Sequence, residues 1–175
     1  MRHATAKPSP ISFEAILMIE KQSAYLKHQS RLSDVVAAIQ ILGTYKFASR
    51  KIEEWEKALG RTPASAITWL EVFREHPEFF RINDEWISLV WRRASEKTFD
   101  TRTGQELTKE QLDRLTTDEQ RKVTRAPLTT DQVTALIEVA IKLQGQAIAR
   151  RSELRWWVPL LIGAIGVAIG ALLKS

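Results

Sequence analysis

The sequence predicts a mainly α-helical fold with one small β-hairpin, followed by a long C-terminal helix that includes a single transmembrane span. Three observations predict it. Apolar residues recur at three- and four-residue spacing between cap residues in segment after segment. Two short runs rich in aromatic and β-branched residues, FFRI and WISLVW, flank Asn83-Asp84-Glu85 and read as a hairpin. The chain closes on RWWVPLLIGAIGVAIGALLKS, in which the 18 residues Trp156 to Leu173 carry no charge. A helix of that length reaches about 27 Å, close to the thickness of a hydrocarbon core.

Taken in order, residues 1–32 hold an N-terminal helix from Ser12 to about His28, with Phe13, Ile16, Leu17 and Ala24 on one side. Residues 33–93 form a domain. Ser33 caps DVVAAIQIL, whose Val35, Val36, Ile39 and Leu42 share a face, and Gly43 ends it. Ser49 precedes RKIEEWEKAL, with Ile52, Trp55 and Leu59 at helical spacing, and Gly60 closes it. Pro63 opens PASAITWLEVFREH, with Ile67, Leu70 and Phe73 inward, and the hairpin follows. Trp55, Trp69, Trp86 and Trp91 read as core residues of this domain.

Residues 94–128 have few apolar side chains and nearly balanced charge, so they read as a solvated connector with one short helix at LTKEQL. There Leu107, Thr108, Gln111 and Leu112 make a staple and a capping box. Residues 129–155 form an amphipathic stalk helix: Thr129 caps, Gln132 completes the box and Leu128 staples onto Val133. Val133, Leu136, Ala140, Leu143, Ala147 and Leu154 then run along one face, either as the seam of a short coiled coil or as a side that docks on the domain.

Three short helices followed by a two-stranded hairpin resemble the winged helix-turn-helix superfamily, and GRTPASAITWLEVFREHPEFFRINDEWISLVWRR is similar to its third helix and wing. The resemblance rests on element order and patterning over residues 33–93, with no diagnostic motif. It implies that the third helix enters a DNA major groove and that the wing touches the neighbouring backbone. The residues argue against that here. A groove reader needs cations for phosphates, whereas the third helix offers Glu71 and Glu75 around Arg74, and the wing turn carries Asp84 and Glu85. The four carboxylates repel phosphate, and the remaining cations, Arg50, Lys51, Arg92 and Arg93, make only a small patch. Glu71, Arg74, Glu75, Asp84 and Glu85 are therefore expected to contact a protein partner, with nucleic acid disfavoured.

The terminal run, 156–173, is expected to be a membrane anchor. Trp156 and Trp157 suit the headgroup level, and Arg150, Arg151 and Arg155 lie on one side of the span with only Lys174 on the other. That bias places the N-terminal bulk in the cytoplasm, and the two residues after the run make the protein tail-anchored and single-pass. Gly166 and Gly170 form a GxxxG, with Ala164 and Ala168 a second small pair, a pattern that favours helix packing in lipid and hence a homo-oligomer.

Composition excludes more than it assigns. Lysine and arginine exceed aspartate and glutamate by 26 to 21 over 175 residues, but residues 1–93 carry 14 basic and 11 acidic groups, 94–131 carry 7 and 8, and 132–175 carry 5 and 2. The basic excess is thus greatest per residue in the tail and not where a nucleic acid would need it. With no cysteine, disulfides, thiolate metal sites and cysteine nucleophiles are excluded. MRHATAKPSP has no apolar run behind its charges and is not a secretory signal. His3, His28 and His76 lack ligand partners at metal-binding spacing, DTRTGQE has arginine where a calcium loop needs an oxygen ligand, and no phosphate-cradling loop or nucleophile elbow is present. No catalytic, cofactor or metal residues are expected. The sequence therefore predicts a non-enzymatic, tail-anchored protein that presents a winged-helix-like interaction module to the cytosol, as a membrane adaptor or a partner-triggered membrane effector. A membrane-tethered DNA-binding regulator is the alternative.

Overall fold

A computed structural model of the chain describes residues 23–153. It begins with α1 (Ala24–Lys27) and α2 (Arg31–Thr44). α2 starts ahead of Ser33: Ser30 takes the N-cap position, its amide donating to His28 Nδ1 at 3.2 Å, and Asp34 falls in the first turn. β1 (Ser49–Lys51) leads directly into α3 (Ile52–Leu59), which Gly60 ends at φ 67°, a left-handed conformation that glycine adopts without strain. After a bent segment come α4 (Trp69–Glu75), β2 (Phe80–Asn83), β3 (Trp86–Leu89) and the single turn α5 (Val90–Arg93). Asp84 and Glu85 link β2 to β3, with Asp84 at φ 54°.

These strands form an antiparallel sheet in the order β1-β3-β2, with Ile82 and Arg50 flanking Ile87, and Asn83 and Lys51 flanking Trp86. Because side chains alternate along a strand, Ile87 and Leu89 turn into the core while Trp86 is left 47% exposed. β4 (Lys97–Asp100), β5 (Gln105–Glu106) and β6 (Val123–Arg125) make a second antiparallel sheet, β5-β4-β6. Between β5 and β6 lie α6 (Lys109–Asp113), capped by Thr108 and Gln111 as the sequence indicates, and α7 (Thr117–Gln120), capped in the same way by Thr116 and Glu119. The last described element is α8 (Thr130–Glu153).

The expected fold class is corrected by these sheets. The architecture is mixed α and β, with two three-stranded antiparallel sheets and a long C-terminal helix, in place of a mainly helical fold with a lone hairpin. The strands that make the difference, SRK, KTFD, QE and VTR, are short and polar. They are held by pairing with neighbours and carry no hydrophobic alternation of their own.

The membrane placement is corrected too. Among the described residues no helix is long and apolar enough to cross a membrane. α8 has the length, but Glu138, Lys142, Arg150 and Arg151 are exposed along it, and its buried Val133, Leu136 and Ala140 are turned to the protein. The expected span at 156–173 lies outside the described residues. Among the described residues the structure shows no C-terminal anchor, and the tail-anchored, single-pass and cytoplasm-facing assignments drawn from that span are not carried forward.

The core lies between α2, α3, α4, the inner face of the first sheet and the start of α8. Val35, Ile39, Leu42, Trp55, Val72, Phe73 and Leu89 are fully buried there, each burial worth roughly 1.5–3 kcal/mol before chain entropy is offset. Trp55 Nε1 donates to Ile87 O at 2.9 Å, so the largest buried ring leaves no donor unpaired. Of the four tryptophans expected inside, Trp55 and Trp69 are buried, whereas Trp86 and Trp91 are 47% and 48% exposed. Val133, Leu136 and Ala140 are buried and Leu143 packs against the same cluster, so this stretch of the stripe docks on the domain. Gly43 makes the docking close, since a Cβ there would meet Val133 Cγ2 at 3.2 Å.

Candidate functional site

α4 and the wing turn hold the residues that the sequence singles out, and a buried network sets where α4 begins. Asp34, in the first turn of α2, accepts from Ser65 N at 2.8 Å and Ser65 Oγ at 2.6 Å, and Arg61 pairs with its other oxygen at 2.9 Å. Trp69 Nε1 donates to Arg61 O at 2.7 Å, with the Arg61 guanidinium over the Trp69 ring. These bonds hold residues 64–68 out of helical conformation, so the helix opens at Trp69 instead of at Pro63. Burial pushes the Asp34 carboxyl up, but the Ser65 hydroxyl, the Ala64 and Ser65 amides and Arg61 outweigh it and leave the carboxyl below its ordinary range.

Thr68 caps α4 by accepting from Glu71 N at 3.3 Å, and Glu71 Oε2 accepts from Ile67 N at 3.3 Å. The exit is anchored by charge. Glu75 pairs with Lys27 and, at 2.9 Å, with the buried Arg31, which also donates to Ser65 O at 3.1 Å. Next to it the buried His76 ring meets Glu78 Oε1 through Nδ1 at 2.9 Å, and Tyr25 OH donates to the same oxygen at 3.4 Å. Burial, and then the Glu78 charge, raise the Tyr25 phenol above its usual range. Glu78 itself is lowered; burial works against the shift, and the His76 hydrogen bond leads the contributions that overcome it.

Most of the expected contact residues are thus engaged within the chain. Glu71 is a capping residue, Glu75 ties α4 to α1 and α2, and Glu85 pairs with Lys51 across the wing. Arg74 and Asp84 remain exposed with no ion-pair partner among the described residues. The surface also presents a residue that the sequence reading turned inward: Ile67, at the head of α4, is 89% exposed. Its amide bond to Glu71 Oε2 places Ile67 beside Glu71, and Arg74 follows Glu71 by three residues on the same side of α4, so the three share one strip of surface.

The cations of the presumed basic patch are dispersed. Arg92 is buried and donates to five backbone carbonyls, those of Leu42, Tyr45, Phe47, Arg125 and Ala126, at 2.7–3.2 Å. Burial, and then the Arg125 charge, lower it to about 10, so it stays charged at neutral pH. Arg50 donates to Glu54 and to Tyr45 OH, each at 2.8 Å, and lies over the Tyr45 ring. It lines an open cleft of about 360 Å³ between α2 and α3 with Lys57 and Thr44. Arg93 is the member of the four left exposed with no bond to the rest of the described chain.

Elsewhere, Arg102 closes the turn that resembles a calcium loop, with its guanidinium on Asp100 and Glu119. Among the described residues no group of three or more His, Cys, Asp or Glu is placed to hold a metal ion. Arg150 and Arg151 are exposed in the last turns of α8. Arg155, Trp156, Trp157, Ala164, Gly166, Ala168 and Gly170 lie outside the described residues.

No protein-family model, curated protein or solved structure matches the chain. Arg31, Asp34 and Arg92 are the polar residues whose roles sequence reasoning missed. Asp34 carried a partial signal, an acid in the first turn of a helix, which ordinarily marks a favourable dipole contact and here holds a distant loop.

Proposed function

We propose that this chain is a non-catalytic, winged-helix-like module that binds a protein partner through the strip headed by Ile67. The element order α2-β1-α3-α4-β2-β3, with the sheet order β1-β3-β2, supports the winged-helix reading of residues 33–93. The single observation that carries the binding reading is the exposure of Ile67 at the head of the very helix that would face a ligand. An isoleucine there offers nothing to a phosphate, but it fits an apolar pocket, with Arg74 further along the strip for an acidic group on the same partner.

Nucleic acid is the disfavoured ligand. Lys51 is turned to Glu85, Arg92 faces five carbonyls, and the carboxylates of α4 and the wing would meet phosphates with repulsion. The test is a photo-crosslinkable residue at position 67 of the full chain, exposed to its native cell extract. A discrete protein adduct is expected, and Ile67→Asp and Arg74→Glu, compared in competition with unmodified chain, should each lose the ability to displace it. Absence of an adduct, or undiminished competition by both variants, contradicts the proposal.

A further inference from the structure

The open cleft of about 360 Å³ between α2 and α3 is walled by half-buried Ile41 and Ala58, by the Tyr45 ring and by Arg50, Glu54 and Lys57. Neither the capping of α4 nor the wing uses it. Arg50 is held there from several sides: its Nε donates to Glu54 Oε2 and its Nη1 to Tyr45 OH, each at 2.8 Å. Its guanidinium also lies 4.9 Å from the centre of the Tyr45 ring and 5.5 Å from that of Phe47. A fork fixed in this way binds without a further loss of side-chain freedom. The groups still free to bond are mostly donors. Arg50 Nη2 has no partner among the described residues, and the Tyr45 hydroxyl, having accepted from Arg50, keeps its own proton to donate. Lys57 is exposed and makes no ion pair among the described residues. Glu54 is already paired with Arg50, so two cations and one carboxylate leave the lining with a net charge of +1.

We infer that this cleft binds a carboxylate carried on a short apolar body. Because Arg50 Nη1 touches the phenol oxygen, Nη2 lies within about 5 Å of it, a span that the two oxygens of one carboxylate bridge. The Lys57 ammonium adds a second positive charge, and the apolar body rests against Ile41, Ala58 and the Tyr45 ring. The volume suits a small ligand, since it falls at the low end of the roughly 300–1,000 Å³ usual for such sites. A dianion such as phosphate fits worse. Thr44, in the last turn of α2, and Glu54 stand in the same wall, so the partly negative helix end and the carboxylate oppose a second negative charge. The ligand is either a free organic acid or the C-terminal residue of a peptide, which offer the same chemistry. The inference is independent of the α4 strip and stands or falls without it.

The test is a titration of the full chain, labelled with nitrogen-15, while its backbone amides and the Arg50 Nε–H are followed by NMR. Phenylacetate, N-acetylphenylalanine, the neutral amide of the latter and inorganic phosphate are added separately. Saturable shifts at Tyr45, Arg50 and Lys57 are expected with the carboxylates. Tighter binding of phenylacetate marks a free acid as the source, and tighter binding of N-acetylphenylalanine marks a peptide end. Tyr45→Phe keeps the ring and removes the proton donor, so it should weaken binding about fivefold, and Lys57→Gln, at an exposed position, about threefold. Absence of saturable shifts with both carboxylates up to about 20 mM, well above a millimolar Kd, overturns the inference. Equal binding of the amide overturns it as well, as does tighter binding of phosphate or an affinity that neither variant changes.

Discussion

Replacing Arg92 with alanine should be the most damaging single change in the described chain. Its guanidinium gathers the carbonyls of Leu42, Tyr45 and Phe47, from the end of α2 and the loop after it, with those of Arg125 and Ala126, from the end of β6. It thereby fastens the two sheets together, helped by Thr124 Oγ1, which accepts from Ala48 N at 3.3 Å. Truncation leaves five acceptors without their donor. An unsatisfied buried polar group costs about 1–3 kcal/mol, and water can reach those that are only partly buried, so a net loss of about 3–5 kcal/mol is expected. That is a large part of the 5–15 kcal/mol that typically separates folded from unfolded domains. Arg92→Lys should recover less than half, because an ammonium lacks the planar fork that serves carbonyls on two sides. Arg93→Ala, next to it and exposed, should stay within about 0.5 kcal/mol of the parent. Urea titration followed by tryptophan fluorescence measures all three, with the buried Trp55 and Trp69 as reporters. If Arg92→Ala lost less than about 1 kcal/mol, the carbonyls would be satisfied some other way and the role given to this residue would be wrong.

Three further outcomes are expected. Gly43→Leu should force α8 from its seat, because even a Cβ would come within 3.2 Å of Val133; a loss of about 1–3 kcal/mol with faster amide exchange in 130–143 would show it. Asp34 has a carboxyl held below the ordinary aspartate range, so its stabilisation is complete above that range and is lost as pH falls through the lower folded value. Asp34→Asn should therefore cost about 1–3 kcal/mol at pH 7 and flatten the acid limb of a stability-against-pH curve. Tyr25 is raised above 10.0, so the folded state keeps the phenol neutral while the unfolded chain ionises, and stability falls as pH rises past 10. Tyr25→Phe should remove that share of the alkaline decline, as thermal melts between pH 9 and 11 would report.

What could be read in advance was local chemistry with a local answer. Thr129 with Gln132 and Thr108 with Gln111 form the boxes their spacing announces, Gly60 ends α3, and Val133, Leu136, Ala140 and Leu143 mark the docking face. What could not be read depends on partners far along the chain. Ser49-Arg50-Lys51 becomes a strand only because β3 accepts it, and Lys97–Asp100 because β5 and β6 flank it. Pro63 is a sound helix opener by itself, yet Asp34, 31 residues away from Ser65, holds the following turn open. The helical period that turns Ile67 inward begins at Pro63, six residues ahead of Trp69, where the helix opens.

The same reasoning separates Glu75 from Arg74. Both stand in one turn of α4, and nothing in REH says that the acid is taken by Lys27 and Arg31 while the base is left to solvent. Arg92 and Arg93 are likewise a matched pair in sequence, and only the path of the chain after β3 sends one inward to the carbonyls.

The measurement that bears most directly on the central claim is the binding of a labelled DNA duplex to the full chain, followed by fluorescence anisotropy from low to physiological salt. A protein-binding module with its cations engaged should show no saturable binding across that range. Tight association at low salt, falling steeply as salt is added and weakened by Arg74→Glu, would contradict the account.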